Sequence, residues 1–402
     1  MKNLPLFPTL IIIIISMMIS GNSSAQWIVV NTGFTDNLVS ISLGDDNRLF
    51  SSGTNGHILL SDDGGDNWCP ANISGTNMVT HVAMQGTLGY AVTDEGFIYI
   101  TNDNGDNWNM IFNTSSKLRG LFILDPSRVF ASGQYEMLWD LNHGLWDWIP
   151  YVTGPGYWLR DIHFPNQQNG YVVGDGGRAY KTPNSAYGWF LMNMKTDGNL
   201  TGIYFPSPET GYCSGLGSTL LKTVDGGINW ESVYSGPPID FWSVHFFTND
   251  YGYVSATNGN ILKTTDGGQT WIPDETTNTV SLREFCYVPD LDRLLVGGLN
   301  GTILYKDLIT NVSNQQSGLN KNIIVSVFPN PFEGKVRLEI SGLQTADNRL
   351  IILNAQLQEV ISFDDIHNGR KNLDLAKMPP GSYYYQIISK DKMLASGKLV
   401  SR

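Results

Sequence analysis

Seven tryptophans, Trp27, Trp68, Trp108, Trp148, Trp189, Trp230 and Trp271, recur at intervals of 40 or 41 residues. A period of that length marks stacked supersecondary units, none of which buries its apolar face alone. Around each tryptophan the chain is rich in β-branched and aromatic residues, lacks a helical period, and is broken by glycine-containing turns about every 8 to 12 residues. Four short strands per repeat predict an all-β chain built as a seven-bladed β-propeller.

Aligning the repeats on their tryptophans exposes one motif, Ser/Thr-x-Asp-x-Gly-x-x-Trp. It is carried by Ser61, Asp63, Gly65 and Trp68; by Thr101, Asp103, Gly105 and Trp108; by Thr223, Asp225, Gly227 and Trp230; and by Thr264, Asp266, Gly268 and Trp271. The spacing suits a hairpin loop: the aspartate accepts bonds from amides ahead of it, the glycine supplies a positive φ, and the tryptophan buries its ring beside the hairpin. At Thr182 to Trp189 the motif is eroded to Asn184 and Ala186, and around Asn142, Gly144 and Trp148 it is one residue out of frame. These aspartates are expected to brace loops rather than to catalyse.

The last unit, Ser281 to Asp307, supplies three strands but lacks a tryptophan, and Trp27 is the residue it lacks. A strand at 27–30 that completes this unit would close the ring with one strand from each end and leave no open edge. Asn55-Gly56, Asn258-Gly259 and Asn300-Gly301 mark tight turns between second and third strands.

Each first strand opens on an alignable column: Val39, Thr80, Arg119, Arg160, Thr201, Trp242 and Arg283. Three arginines at one mouth of the central channel form a candidate receptor for a carboxylate, a sulfate or an acidic protein loop, because guanidinium groups bind oxyanions bidentately. Tyr135, Glu136, Asp175, Arg178 and Trp242 are further candidates on that face. The competing expectation is that each arginine pairs with an acid such as Asp161 or Glu284 and ties blades together. Asp161, Asp175, Asp240 and Glu136 keep glycan hydrolysis open, but no spacing singles out a catalytic pair.

The ends of the chain read differently. Lys2, an apolar run from Leu4 to Ile19 and the small residues Ser23-Ser24-Ala25 predict a signal peptide over 1–25, cleaved near Ala25. The propeller is assigned to 26–309 and an Asn-, Ser- and Gln-rich linker to 310–322. Residues 323–402 alternate apolar and polar over seven short stretches, which predicts a small antiparallel β-sandwich.

With 25 Lys and Arg against 37 Asp and Glu, a formal net charge of −12 and no basic face, the chain suits neither nucleic acid nor an anionic membrane. Cys69, Cys213 and Cys286 lie in three different repeats, and six histidines are scattered, so no metal, cofactor or disulfide framework is expected.

The boxes, with the fuller lines Gly211-Tyr212 through Trp230 and Gly252-Tyr253 through Trp271, resemble the Asp-box (BNR) repeats of photosystem II assembly factors of the Ycf48/Hcf136 type over roughly residues 26 to 310. Similar repeats occur in sialidases, xyloglucan-active hydrolases and sortilin-like receptors, so the resemblance implies fold more than task. That family has arginines on inner strands, matched here by Arg119, Arg160 and Arg283. Sialidases have six blades and a Phe-Arg-Ile-Pro-like segment before the first box, which this chain lacks.

The tail's Val327-Phe328-Pro329-Asn330-Pro331-Phe332 opening, its Met378-Pro379-Pro380-Gly381-Ser382-Tyr383-Tyr384 segment and its basic end resemble the type A sorting domain of the type IX secretion system of Bacteroidetes. The resemblance implies export across both membranes, with the secretion machinery as a partner of residues 323–402 and the product released or held on the outer surface. The expectation is therefore a secreted or surface-displayed binding module for an unknown extracellular protein or glycan. A sialidase-like or xyloglucanase-like hydrolase is the alternative.

Overall fold

The computed structural model describes residues 26–73, 78–142, 145–149, 156–184, 188–308, 323–328, 334–343, 347–353, 359–379, 381–389 and 392–401. The expected signal peptide and linker lie outside these residues. So do Gly144, Ala186 and the Asn330-Pro331 turn.

Among the described residues, seven four-stranded antiparallel sheets fill Ile28 to Asp307. We number them as blades 1 to 7 by their first strands: Leu38–Leu43, Val79–Gln85, Leu118–Asp125, Leu159–His163, Leu200–Tyr204, Phe241–Phe246 and Leu282–Val288. Each first strand lies against the first strand of the next blade, and that of blade 7 lies against that of blade 1, so the ring is closed around a channel. The outermost strand of blade 7 comes from the other end of the repeats: Ile28, Val29 and Val30 pair antiparallel with Tyr305, Leu304 and Ile303.

The 41-residue period has a packing basis. In blades 5 and 6 the tryptophan that ends the box sets its ring edge-on to a phenylalanine of its own inner strand region: Trp230 on Phe205 with centroids 5.9 Å apart, and Trp271 on Phe246 at 6.0 Å. The other face of that phenylalanine receives a tyrosine from the preceding blade, Tyr171 on Phe205 and Tyr212 on Phe246, each stacked at 3.7 Å. The hydroxyls of Tyr171 and Tyr212 run on to the box carbonyls of Gly226 and Gly267 of the following blade, where Lys181 Nζ and Lys222 Nζ also donate, both at 2.6 Å. Gly211 begins the second strand of blade 5 because a Cβ there would stand 2.4 Å from the Phe205 ring. Repeats thus interlock through large rings and shared box carbonyls, which apolar burial alone would not keep in register.

Asn55-Gly56, Asn258-Gly259 and Asn300-Gly301 all take positive φ at both positions, as a type I′ hairpin requires. In the tail, Ile324–Phe328, Lys335–Ser341 and Gly369–Asp374 form one sheet. Glu359–Phe363, Arg349–Leu353, Gly381–Ser389 and Lys392–Ser401 form the other. Leu338, Ile340, Leu350, Ile352, Tyr385 and Ile387 are buried in one core, giving the antiparallel β-sandwich.

Candidate functional site

The aligned column of first-strand residues meets in space. In every blade the pairing of first and second strands slips by one residue at the same place: between Leu38 and Ser40, Val79 and His81, Leu118 and Gly120, Leu159 and Asp161, Leu200 and Gly202, Phe241 and Ser243, and Leu282 and Phe285. Val39, Thr80, Arg119, Arg160, Thr201, Trp242 and Arg283 are the residues set out by these bulges. A bulge re-aims the side chain it carries, and all seven line one cavity of about 320 Å³ at the mouth of the channel.

The arginines are not equivalent. Arg119 Nη2 donates to Asp94 at 2.8 Å, and its guanidinium lies over Trp158, 5.0 Å from the ring centroid. Arg160 grips Asp175 with two bonds, Nε to Oδ1 at 2.5 Å and Nη2 to Oδ2 at 3.2 Å. Arg283 has no acidic partner among the described residues; its guanidinium stacks on Trp242, 3.3 Å from the ring centroid, and its Nε is buried without a hydrogen bond. Desolvation, with Arg160 nearby, lowers its pKa to about 10, so it stays charged at neutral pH.

The tying acids named from the sequence, Asp161 and Glu284, do other work. One residue deeper, Asp161 Oδ2 accepts the Ile203 amide at 2.8 Å, Glu284 Oε2 accepts the Ile41 amide at 3.3 Å, and Ser40 Oγ accepts the Val82 amide at 3.1 Å. Each side chain caps the inner strand of the following blade. Burial raises the pKa of Asp161 to about 6, raises that of Glu284 with the Asp161 charge adding to it, and lowers that of His81, also in the lining, to about 4. Thr80 and Thr201 likewise donate to the Leu118 and Phe241 carbonyls of the following blades. Two residues deeper, on the same strand face, Phe122, His163, Tyr204 and His245 form a run of ring contacts with centroids 4.8 to 5.7 Å apart.

The remaining candidates separate. Asp175 belongs to the mouth through Arg160. Tyr135 stands 53 % exposed at the blade 3 turn, whose Gln134 amide bonds the carbonyl of Lys117, just before the inner strand. Glu136 points into the fold: it is fully buried, accepts the Tyr180 hydroxyl at 2.5 Å, and has Arg178 Nε 3.5 Å away. Asp240 accepts the Gly217 amide at 2.8 Å. The sequence missed Asp94, which holds in blade 2 the turn position that Asp175 holds in blade 4 and could have been found by aligning the turns. It also missed Tyr157 and Trp158, which precede the inner strand of blade 4 and do not recur in the other repeats.

In the boxes, Asp63 Oδ1 accepts the amides of Asp66 and Asn67, and Asp225 Oδ1 those of Ile228 and Asn229. Asp103 and Asp266 accept the amides of Asn107 and Thr270. Gly65, Gly105, Gly227 and Gly268 have φ between 80° and 99°. Bonds from Asn107, Asn229 and Thr270 respectively hold the Asp103, Asp225 and Asp266 carboxyls down to about 2. In the eroded copy Thr182 bonds Asn184 instead. Among the described residues no group of His, Cys, Asp and Glu side chains is arranged to hold a metal ion, and no helix is long and apolar enough to cross a membrane.

The family described as photosynthesis system II assembly factor YCF48 matches residues 19–145 and 181–273, more than half of the chain, and a secretion system C-terminal sorting domain matches residues 326–402. No curated protein sequence matches. Among solved structures, YCF48 from Cyanidioschyzon merolae is similar with a TM-score of 0.60 at 18 % identity, over 70 % of this chain and 98 % of that one. A YCF48 described as bound to D1 peptide gives the same score and identity over 70 % and 96 %. PorZ of Porphyromonas gingivalis, described as an essential surface component of the type IX secretion system, gives 0.56 at 9 % identity over 93 % of this chain and 60 % of that one. At such identities the likeness speaks for the fold.

Proposed function

The chain belongs to the YCF48 family of photosynthesis system II assembly factors, and from that premise, joined to its sorting tail, we propose that it is an exported propeller acting as a non-enzymatic binding module. Its ligand is an anionic extracellular protein or glycan taken at the arginine-lined mouth. The sorting tail supports secretion or display on the outer surface, so the family's photosystem role is not carried over. A relative described as holding a peptide supports a propeller of this shape as a receptor.

The observation that carries the reading is Arg283. A guanidinium stacked on an indole, largely desolvated and with no carboxylate partner among the described residues, is a preorganised oxyanion receptor. Arg119 and Arg160, already neutralised by Asp94 and Asp175, present only their remaining donors. Glycan hydrolysis has less support, because Asp161 and Glu284 each commit an oxygen to a neighbouring blade.

The test is capture of envelope and secreted material by the leaderless chain beside an Arg119→Ala, Arg160→Ala, Arg283→Ala variant of equal melting temperature. The reading expects a partner held by the first and lost by the second. A partner held equally by both would remove the mouth as the site.

A further inference from the structure

The turn between second and third strands is built from Asn-Gly in blades 1, 6 and 7, from Gly176-Gly177 in blade 4 and from Gly217-Ser218 in blade 5, all at positive φ. Blade 3 alone puts two bulky residues there: Tyr135 at φ 63° and Glu136 at φ 55°. Each costs roughly 1–3 kcal/mol in that region, and such strain persists only where the surroundings over-determine it. Here the buried Glu136, bonded to the Tyr180 hydroxyl, pins the turn from below and leaves the Tyr135 ring 53 % exposed above.

What the turn presents is a second aromatic surface at the rim. The Glu136 amide bonds the Tyr157 carbonyl at 2.9 Å, and Tyr157 itself is 38 % exposed, with the Arg178 guanidinium 5.0 Å from its ring centroid. The next residue, Trp158, lies under the Arg119 guanidinium, and its carbonyl accepts the amide of Asp175, the partner of Arg160, so Tyr157 and the turn bonded to it stand beside the arginine mouth. Two exposed rings beside planar, multi-donor guanidinium groups match the two surfaces of an acidic sugar: an apolar C–H face that stacks on an aromatic ring, and a carboxylate with hydroxyls that needs several donors.

We propose that Tyr135 and Tyr157 form a stacking shelf for a sugar ring of an acidic glycan whose carboxylate is held by the mouth arginines, with the strained turn of blade 3 maintained to present Tyr135. This rests on the mouth being the binding site and names the ligand class it takes.

The probes are oligogalacturonate, neutral cellohexaose and the acidic peptide hexaglutamate, titrated against the leaderless chain and the variants Tyr135→Gly, Tyr135→Phe and Arg283→Ala. The expected result is binding of oligogalacturonate alone, weakened about tenfold by Tyr135→Gly, kept by Tyr135→Phe and lost in Arg283→Ala, while Tyr135→Gly melts no lower than the parent. Unchanged oligogalacturonate affinity in Tyr135→Gly, or hexaglutamate bound as well as the glycan, would overturn the shelf while a loss in Arg283→Ala kept the mouth. Absence of any oligogalacturonate binding overturns the glycan class, and capture of a protein through the arginines would still uphold the mouth. A lower melting point for Tyr135→Gly would refute the strain.

Discussion

Trp27 Nε1 donates a 2.8 Å hydrogen bond to Asp274 Oδ2 across 247 residues of sequence, with both side chains buried. The same carboxylate oxygen accepts Lys306 Nζ at 2.6 Å, so one acid in the loop ahead of blade 7 joins the first strand of the chain to the last strand of the ring. Removing it leaves a buried ammonium and an indole N–H unpaired, which costs about 3 kcal/mol or more. Asp274→Ala is expected to lower the melting temperature by roughly 6–12 °C, and Trp27→Ala by a similar amount through lost packing. Calorimetry showing a shift below a degree in both would refute a latch at this seam.

The box aspartates set a different pH signature. Asp103, Asp225 and Asp266 sit at about 2 in the fold against an ordinary 3.8, so their contribution is present above pH 4 and lost as pH falls toward 2. A variant with all three changed to Asn is expected to melt lower than the parent at pH 6 and to lose less stability between pH 4 and pH 2. Parallel pH curves would show that these carboxylates are not braces.

Asp161 behaves in the opposite sense. Its folded pKa of about 6 lies above the unfolded 3.8, so the neutral acid's contribution is complete below pH 4 and lost as pH rises through 6. Asp161→Asn removes that titration, and its melting temperature relative to the parent should climb between pH 4 and pH 7. A constant offset across that range would place the Asp161 carboxyl in water rather than in a desolvated layer.

Export is assigned to the tail, which matches a sorting domain over 326–402. A periplasmic reporter joined to residues 309–402 should appear in the medium or on the surface of a host with a working type IX system, and remain periplasmic in a host without one. Equal retention in both hosts would detach the tail from that route.

The sequence carried the period, the box chemistry and the mouth column, because each repeats against a tryptophan ruler. The tail strands read off the period-two alternation, as at Lys335–Ser341, where Val336, Leu338 and Ile340 are buried and the residues between them are exposed or half-buried. What could not be read is how the bulges aim their side chains. Alternation predicts two faces of a strand, and a one-residue slip sends Arg160 to Asp175 in the adjacent turn rather than to the neighbouring Asp161. The inward turn of Glu136 is hidden for a related reason. A left-handed turn of two non-glycine residues rotates one side chain inward, and no composition rule signals it.

We propose the arginine mouth as the place where this propeller meets its ligand. Hydrogen exchange of residues 26–402 with and without the captured partner tests it most directly. Protection should concentrate at the bulged residues 118–120, 159–161 and 282–284 and at the turn 134–136. Protection confined to the box loops 62–67, 224–229 and 265–270 on the opposite face would contradict it.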